Sequence, residues 1–128
     1  MKEPFWLSRL HVEAIHDEQL AEHGGLAGLG SPDALESAVA RPQNLFLHEK
    51  CDLVDLAAAY AHGIIKNHPF NDGNKRAAFA TAVVFLDLNG LELTMSEPQA
   101  TLAVLQLADG SLTQTDFAKL LREHTKKG

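Results

Sequence analysis

Two apolar helical stretches separated by a proline-containing loop dominate this sequence and define its centre. In residues 52–67 the side chains Leu53, Leu56, Ala57, Tyr60, Ile64 and Ile65 recur at helical spacing, which gives that helix an apolar face. Pro69 forbids its continuation, because proline has no backbone N–H and its ring clashes with the preceding turn. Residues 74–88 repeat the pattern with Ala78, Ala82, Val83, Phe85 and Leu86, and Asn89-Gly90 supplies a stop. Two apolar helices joined by so short a loop pack antiparallel, and this pair forms the core.

The other segments are read around that pair. Leu10, Ala14, Ile15 and Leu20 predict a helix over about residues 8–23, ended by Gly24-Gly25, with the GGLAGLG stretch at 24–30 as loop. Ser31-Pro32-Asp33 opens a further helix: Ser31 is a cap, Pro32 suits the first turn, and Glu36 adds negative charge near the N-terminus. Pro42 predicts that this helix stops near Arg41. Residues 43–50, with Leu45-Phe46-Leu47, are then either a short strand or a flap. An extended piece at 91–94 and helices over 97–109 and 115–123 complete an all-α bundle, and Lys126-Lys127 reads as a frayed tail. A length of 128 residues, against about 150 per domain, predicts one domain over 1–128.

Composition then narrows the function. Eleven Lys and Arg against seventeen Asp and Glu give a net charge of −6, which argues against general nucleic-acid or anionic-membrane binding. Cys51 has no partner for an intramolecular disulfide, which fits a reducing compartment. No apolar run has membrane-spanning length, and Met1-Lys2-Glu3-Pro4-Phe5-Trp6 lacks the apolar stretch of a signal peptide. The expectation is a cytoplasmic domain.

The chemistry is concentrated in the connecting loop, His68-Pro69-Phe70-Asn71-Asp72-Gly73-Asn74-Lys75-Arg76. It ends at a helix N-terminus, where first-turn N–H groups lack intrahelical partners and the helix dipole favours an anion. Gly73 can take a left-handed conformation that aims successive N–H groups, Asn74 included, at one point. Lys75 and Arg76 add side-chain charge, and cations in a first turn oppose the dipole, so they point to a bound anion rather than to helix stabilisation. Asp72 is a candidate Mg²⁺ ligand, since that ion takes one or two carboxylates plus substrate phosphates. Histidine is the side-chain type that titrates near neutrality, and His68 is the candidate general base. Phe70 is expected to anchor the loop in the core.

This loop closely resembles the signature of Fic/Doc proteins, and specifically of the death-on-curing (Doc) toxin branch. The GGLAGLG loop with Ser31-Pro32-Asp33, the Ala38-Val39-Ala40-Arg41-Pro42-Gln43 segment and Phe85-Leu86-Asp87-Leu88-Asn89-Gly90 extend the resemblance over about residues 10–122. The resemblance implies a compact Fic-type bundle in which His68 is the base for an acceptor hydroxyl. It places Asp72 at Mg²⁺ and Gly73, Asn74, Lys75 and Arg76 at the phosphates of ATP. Most Fic proteins carry glycine at the position of Lys75 and transfer AMP; the Doc branch carries lysine. A long cation there implies a reversed ATP and transfer of the γ-phosphate, with a threonine of translation elongation factor Tu as target and arrest of translation as outcome. AMP-transferring members carry a second arginine where this chain has Phe79, which favours the kinase over the AMP transferase. The family's inhibitory Ser/Thr-x-x-x-Glu-Gly/Asn pattern is absent from the chain, so a separate antitoxin is the implied partner. A non-catalytic nucleotide-sensing module is the reading from another class, and the intact His68 and Asp72 argue against it.

The remaining candidates are weaker. His62, His68 and Asp72 lack the spacing of a zinc site, and His11, His16, His23, His48 and His124 read as surface or cap residues. Lys75 lacks the flanking residues of a P-loop lysine, and no strand precedes GGLAGLG as a dinucleotide site requires, so that loop reads as a turn bordering the groove. Cys51 reads as inert. Phe46 and Leu47 suit either plain packing or a flap that aligns a peptide by strand addition.

Overall fold

A computed structural model describes residues 1–128. The chain folds as six helices and a two-stranded sheet: α1 (Arg9–His23), α2 (Pro32–His48), α3 (Leu53–Asn67), α4 (Asn74–Leu88), β1 (Leu91–Leu93), α5 (Glu97–Asp109), α6 (Gln114–Glu123) and β2 (Thr125–Lys127). This is the expected all-α bundle. Side-chain caps open most helices: Ser8, Ser31, Asp52, Ser96 and Thr113 each accept a first-turn N–H.

Helix α3 is the axis of the bundle. Every residue from Leu56 to Ala61 is buried, because α2, α4, α5 and α6 all pack on it. Each large apolar side chain enclosed in this way contributes about 1.5–3 kcal/mol of transfer free energy. Tyr60 carries the one polar side chain among the buried residues of α3. Its hydroxyl donates to the Leu7 carbonyl at 3.0 Å and accepts the Leu7 N–H at 2.9 Å, and burial pushes its pKa up to about 12. The N-terminal segment is thereby tied to the core.

The helix expected to stop near Arg41 continues through Pro42 to His48, so the 43–50 segment is neither strand nor flap. An interior proline costs about 3 kcal/mol in isolation. Here Pro42 is itself buried, and Phe46 one turn later packs edge-on against Trp6 with ring centroids 5.6 Å apart. The Ala38 carbonyl, left without a helical donor by Pro42, lies against Gly63 of α3. A Cβ on Gly63 would sit 3.1 Å from that oxygen, so the two helices cross at backbone contact. Tertiary burial overrides the local stop signal.

The C-terminus also departs from expectation. Thr125–Lys127 pair antiparallel with Leu91–Leu93, and the Thr94 N–H donates to the His124 carbonyl at 2.6 Å, so Lys126 and Lys127 lie in a strand. Arg122 bonds Asp52 through two nitrogens at 3.0 Å and Asp55 at 2.9 Å, joining α6 to the start of α3. Burial alone would raise the Asp52 carboxyl, but the hydrogen bonds from Arg122 and the Asp55 N–H outweigh it and hold it below its ordinary value. Burial, then the carboxylates of Asp55, Asp52 and Glu49, push the half-buried Cys51 thiol up, away from the reactive thiolate.

Candidate active site

The loop between α3 and α4 begins in an uncommon backbone state. His68 has φ of 51°, the only positive φ outside glycine, and its N–H donates to the Ile64 carbonyl at 3.0 Å to end α3. Histidine tolerates the left-handed region better than most residues, and the turn puts His68 at an exposed position. Phe70 is 2% exposed and anchors the loop as expected. Asn74 clamps it in place: its side-chain oxygen accepts the Phe70 N–H at 3.0 Å and its amide donates to the Phe70 carbonyl at 2.9 Å. The buried Asn74 side chain is therefore committed to the loop backbone, leaving only its own N–H for a ligand.

Helix α4 starts from Gly73, whose φ of 76° is the left-handed turn that glycine adopts without strain. No side chain caps this end, and the N–H groups of Asn74, Lys75 and Arg76 meet no acceptor in the chain. Three free donors, the positive end of the dipole and two cations converge on the same turn.

Asp72 precedes the turn. Its Oδ2 accepts the Leu26 N–H at 3.0 Å and its Oδ1 the Gly73 N–H at 2.9 Å. Those two bonds, Leu26 first, hold the half-buried carboxyl below its ordinary value, with Arg76 adding to the effect. Each oxygen keeps one lone pair for a further ligand. No group of three His, Cys, Asp or Glu forms an all-protein metal cage. A single carboxylate is the donor set that suits Mg²⁺ shared with a phosphate chain.

His68, Asp72, Gly73, Asn74, Lys75 and Arg76 all line one cleft of about 820 Å³. Gln19 and His23 from α1 also line it. Phe79 and Val83 of α4, Met95, and Val104 and Leu105 of α5 contribute apolar lining. The six residues singled out in the sequence are thus brought together. Lys66 and His62 are not in the cleft: both sit on α3 outside the loop. The 24–31 segment borders the loop rather than the cleft. Gly30 and Ser31 donate to the Pro69 carbonyl at 2.8 and 3.0 Å, Asn71 donates to Gly28, and Leu29 bridges Phe70.

Sequence reasoning missed His16. It is not a surface or cap residue: it is 2% exposed, stacks parallel on Phe70 with centroids 3.7 Å apart, and donates from Nε2 to the Asp72 carbonyl at 2.7 Å. The signal was available in its spacing, since His16 lies one turn from the buried Val12 and on the same face.

The Fic/DOC family model matches residues 6–86. "Protein kinase doc" of Escherichia phage P1 is 34% identical over 110 residues, which cover 85% of this chain and 86% of the phage protein. "Toxin Doc" of Mycolicibacterium smegmatis is 44% identical over 61 residues, 46% of this chain and 47% of that protein. A signature loop folded into a single cleft and a match over most of the chain agree: the chain belongs to the Fic/DOC family, in its Doc branch.

Proposed function

We propose that this chain is the toxin of a bacterial toxin–antitoxin pair, an ATP-dependent kinase that phosphorylates a serine or threonine hydroxyl of a translation factor in the cytoplasm. Elongation factor Tu is the target implied by the family resemblance, and a separate antitoxin is the implied partner. The observation that carries the reading is Lys75, an exposed cation in the first turn of α4, in the same cleft as His68 and beside three unpaired N–H groups. A glycine there would leave room for inner phosphates, whereas lysine occupies that room and favours the terminal phosphate near His68. The relative named a protein kinase supports the same direction.

In this reading the phosphates lie on the N–H groups of Asn74, Lys75 and Arg76, with both cationic side chains around them. His68 takes the proton of the acceptor hydroxyl as its oxygen attacks the γ-phosphorus. The bond to the β-phosphate oxygen breaks, and ADP leaves. Asp72 would hold Mg²⁺, which when bound neutralises phosphate charge. No helix is long and apolar enough to cross a membrane. Incubation with a bacterial lysate and ATP labelled at either the α- or the γ-phosphate tests the reaction. Retention of γ-label on a protein is the expected result; retention of α-label alone would show AMP transfer and overturn the argument from Lys75.

A further inference from the structure

The two halves of the cleft are carried by different helices. His68 ends α3, and the phosphate turn begins α4. Only residues 69–73 connect them, so the distance from base to phosphate depends on how that stretch is held. Besides the Asn74 clamp at the start of α4, two devices from elsewhere in the chain hold it. One is the 24–31 segment on the outside, through Pro69, Asn71 and the Asp72 carboxylate. The other is His16, a buried imidazole from α1, to which the proposed chemistry gives no role.

We infer that His16 is a positioning residue, which sets the catalytic loop so that His68 and the phosphate turn are in register. The inference rests on the kinase reading for its rate, and on geometry alone for its structural part. A carbonyl only accepts, so the 2.7 Å contact makes His16 Nε2 the donor to the Asp72 carbonyl. Its ring covers Phe70 with an interplanar angle of 5°. A Cβ on Gly73 would stand 3.5 Å from the same Nε2. One side chain thus touches the loop at its anchor, at the peptide following the metal-ligand candidate, and at the glycine that opens α4. His16 does not itself line the cleft.

Two variants separate the bond from the packing. His16→Phe keeps a ring against Phe70 and removes the donor; His16→Gln returns a donor near the position of Nε2. Because misplacement by about 1 Å costs about a hundredfold in rate, His16→Phe is expected to lower kcat at least tenfold with KM for ATP little changed, and His16→Gln to recover part of it. Amide hydrogen exchange gives a readout independent of activity. In His16→Phe the Leu26 and Gly73 N–H groups, both bonded to Asp72, are expected to exchange about tenfold faster while the α3 and α4 core amides stay protected. Wild-type kcat and unchanged exchange in His16→Phe would overturn the inference. So would a uniform loss of protection that His16→Gln does not relieve, since that is a stability defect. If the wild-type protein transfers no γ-phosphate, the proposed function falls, and the local exchange pattern alone then decides for or against His16.

Discussion

The N-termini of α3 and α4 are built in opposite ways, although the two helices are the central pair and are both 15 residues long. At α3, Asp52 accepts the Asp55 N–H at 2.9 Å, Asp55 accepts the Asp52 N–H at 2.9 Å, and Arg122 covers both carboxylates. At α4, Gly73 offers no side chain, no acid stands in the first turn, and Lys75 and Arg76 oppose the dipole. One end satisfies two of its backbone donors, the Asp52 and Asp55 N–H groups, from within the chain and contributes stability. The other leaves the Asn74, Lys75 and Arg76 N–H groups free at the edge of a cleft, which is what binding an anion requires.

Several substitutions break or sharpen that contrast. His68→Ala has the largest expected effect. Removing a general base lowers the transfer rate by about 10²–10⁴-fold, while stability falls by no more than about 1–2 kcal/mol, the cost of alanine at a φ of 51° where the lost side chain is exposed. A growth assay checks it in cells, and a His68→Ala chain as toxic as wild type would refute the catalytic reading. Lys75→Glu makes the start of α4 resemble that of α3. It is expected to raise helix stability by about 0.3–1 kcal/mol while abolishing measurable ATP binding. Calorimetric titration together with thermal melting reads the opposed signs, and a variant that keeps its affinity for ATP would remove Lys75 from the site.

Asp52→Ala acts on the other terminus. Loss of the cap is expected to cost about 1–2 kcal/mol, read by urea unfolding, with transfer kinetics unaltered. The smallest effect is on pH. The Asp52 carboxyl is held below its ordinary value in the folded chain, so its stabilising contribution is present above the unfolded value near ~3.9 and is lost as pH falls through the folded one. Acid unfolding curves of Asp52→Ala should be flatter than wild type in that window and should meet it at lower pH. Identical slopes would mean that the Arg122 bonds are not formed in solution.

Much of this was legible from residue order. The Pro69 break, the apolar stripes on either side of it, the caps at Ser31 and the burial of Phe70 follow from local rules that tertiary packing did not contradict. The loop residues His68 and Asp72 to Arg76 could be nominated because they are contiguous, and a contiguous motif keeps its neighbours whatever the fold does. Pro42, His16 and the C-terminal lysines were misread for one shared reason. Each is governed by partners far along the chain: Trp6 and Gly63 around the Pro42 turn, Phe70 and Asp72 for His16, and Leu91–Leu93 for the tail.

Charge divides along the same line. The net −6 is a sum over the whole chain and argues against polyanionic partners. Lys75 and Arg76 still make a local cationic end in the cleft, while Lys66, equally near in sequence, stands outside it. Short-range rules of periodicity, capping and proline geometry settle which segments are helices and which loop can hold an anion, because those depend on neighbours a few residues apart. Which donors stay free, which histidine is buried under the loop and which cations face the ligand are decided only when the helices pack. Burial and pairing are properties of surfaces assembled from distant residues, and no local pattern contains them.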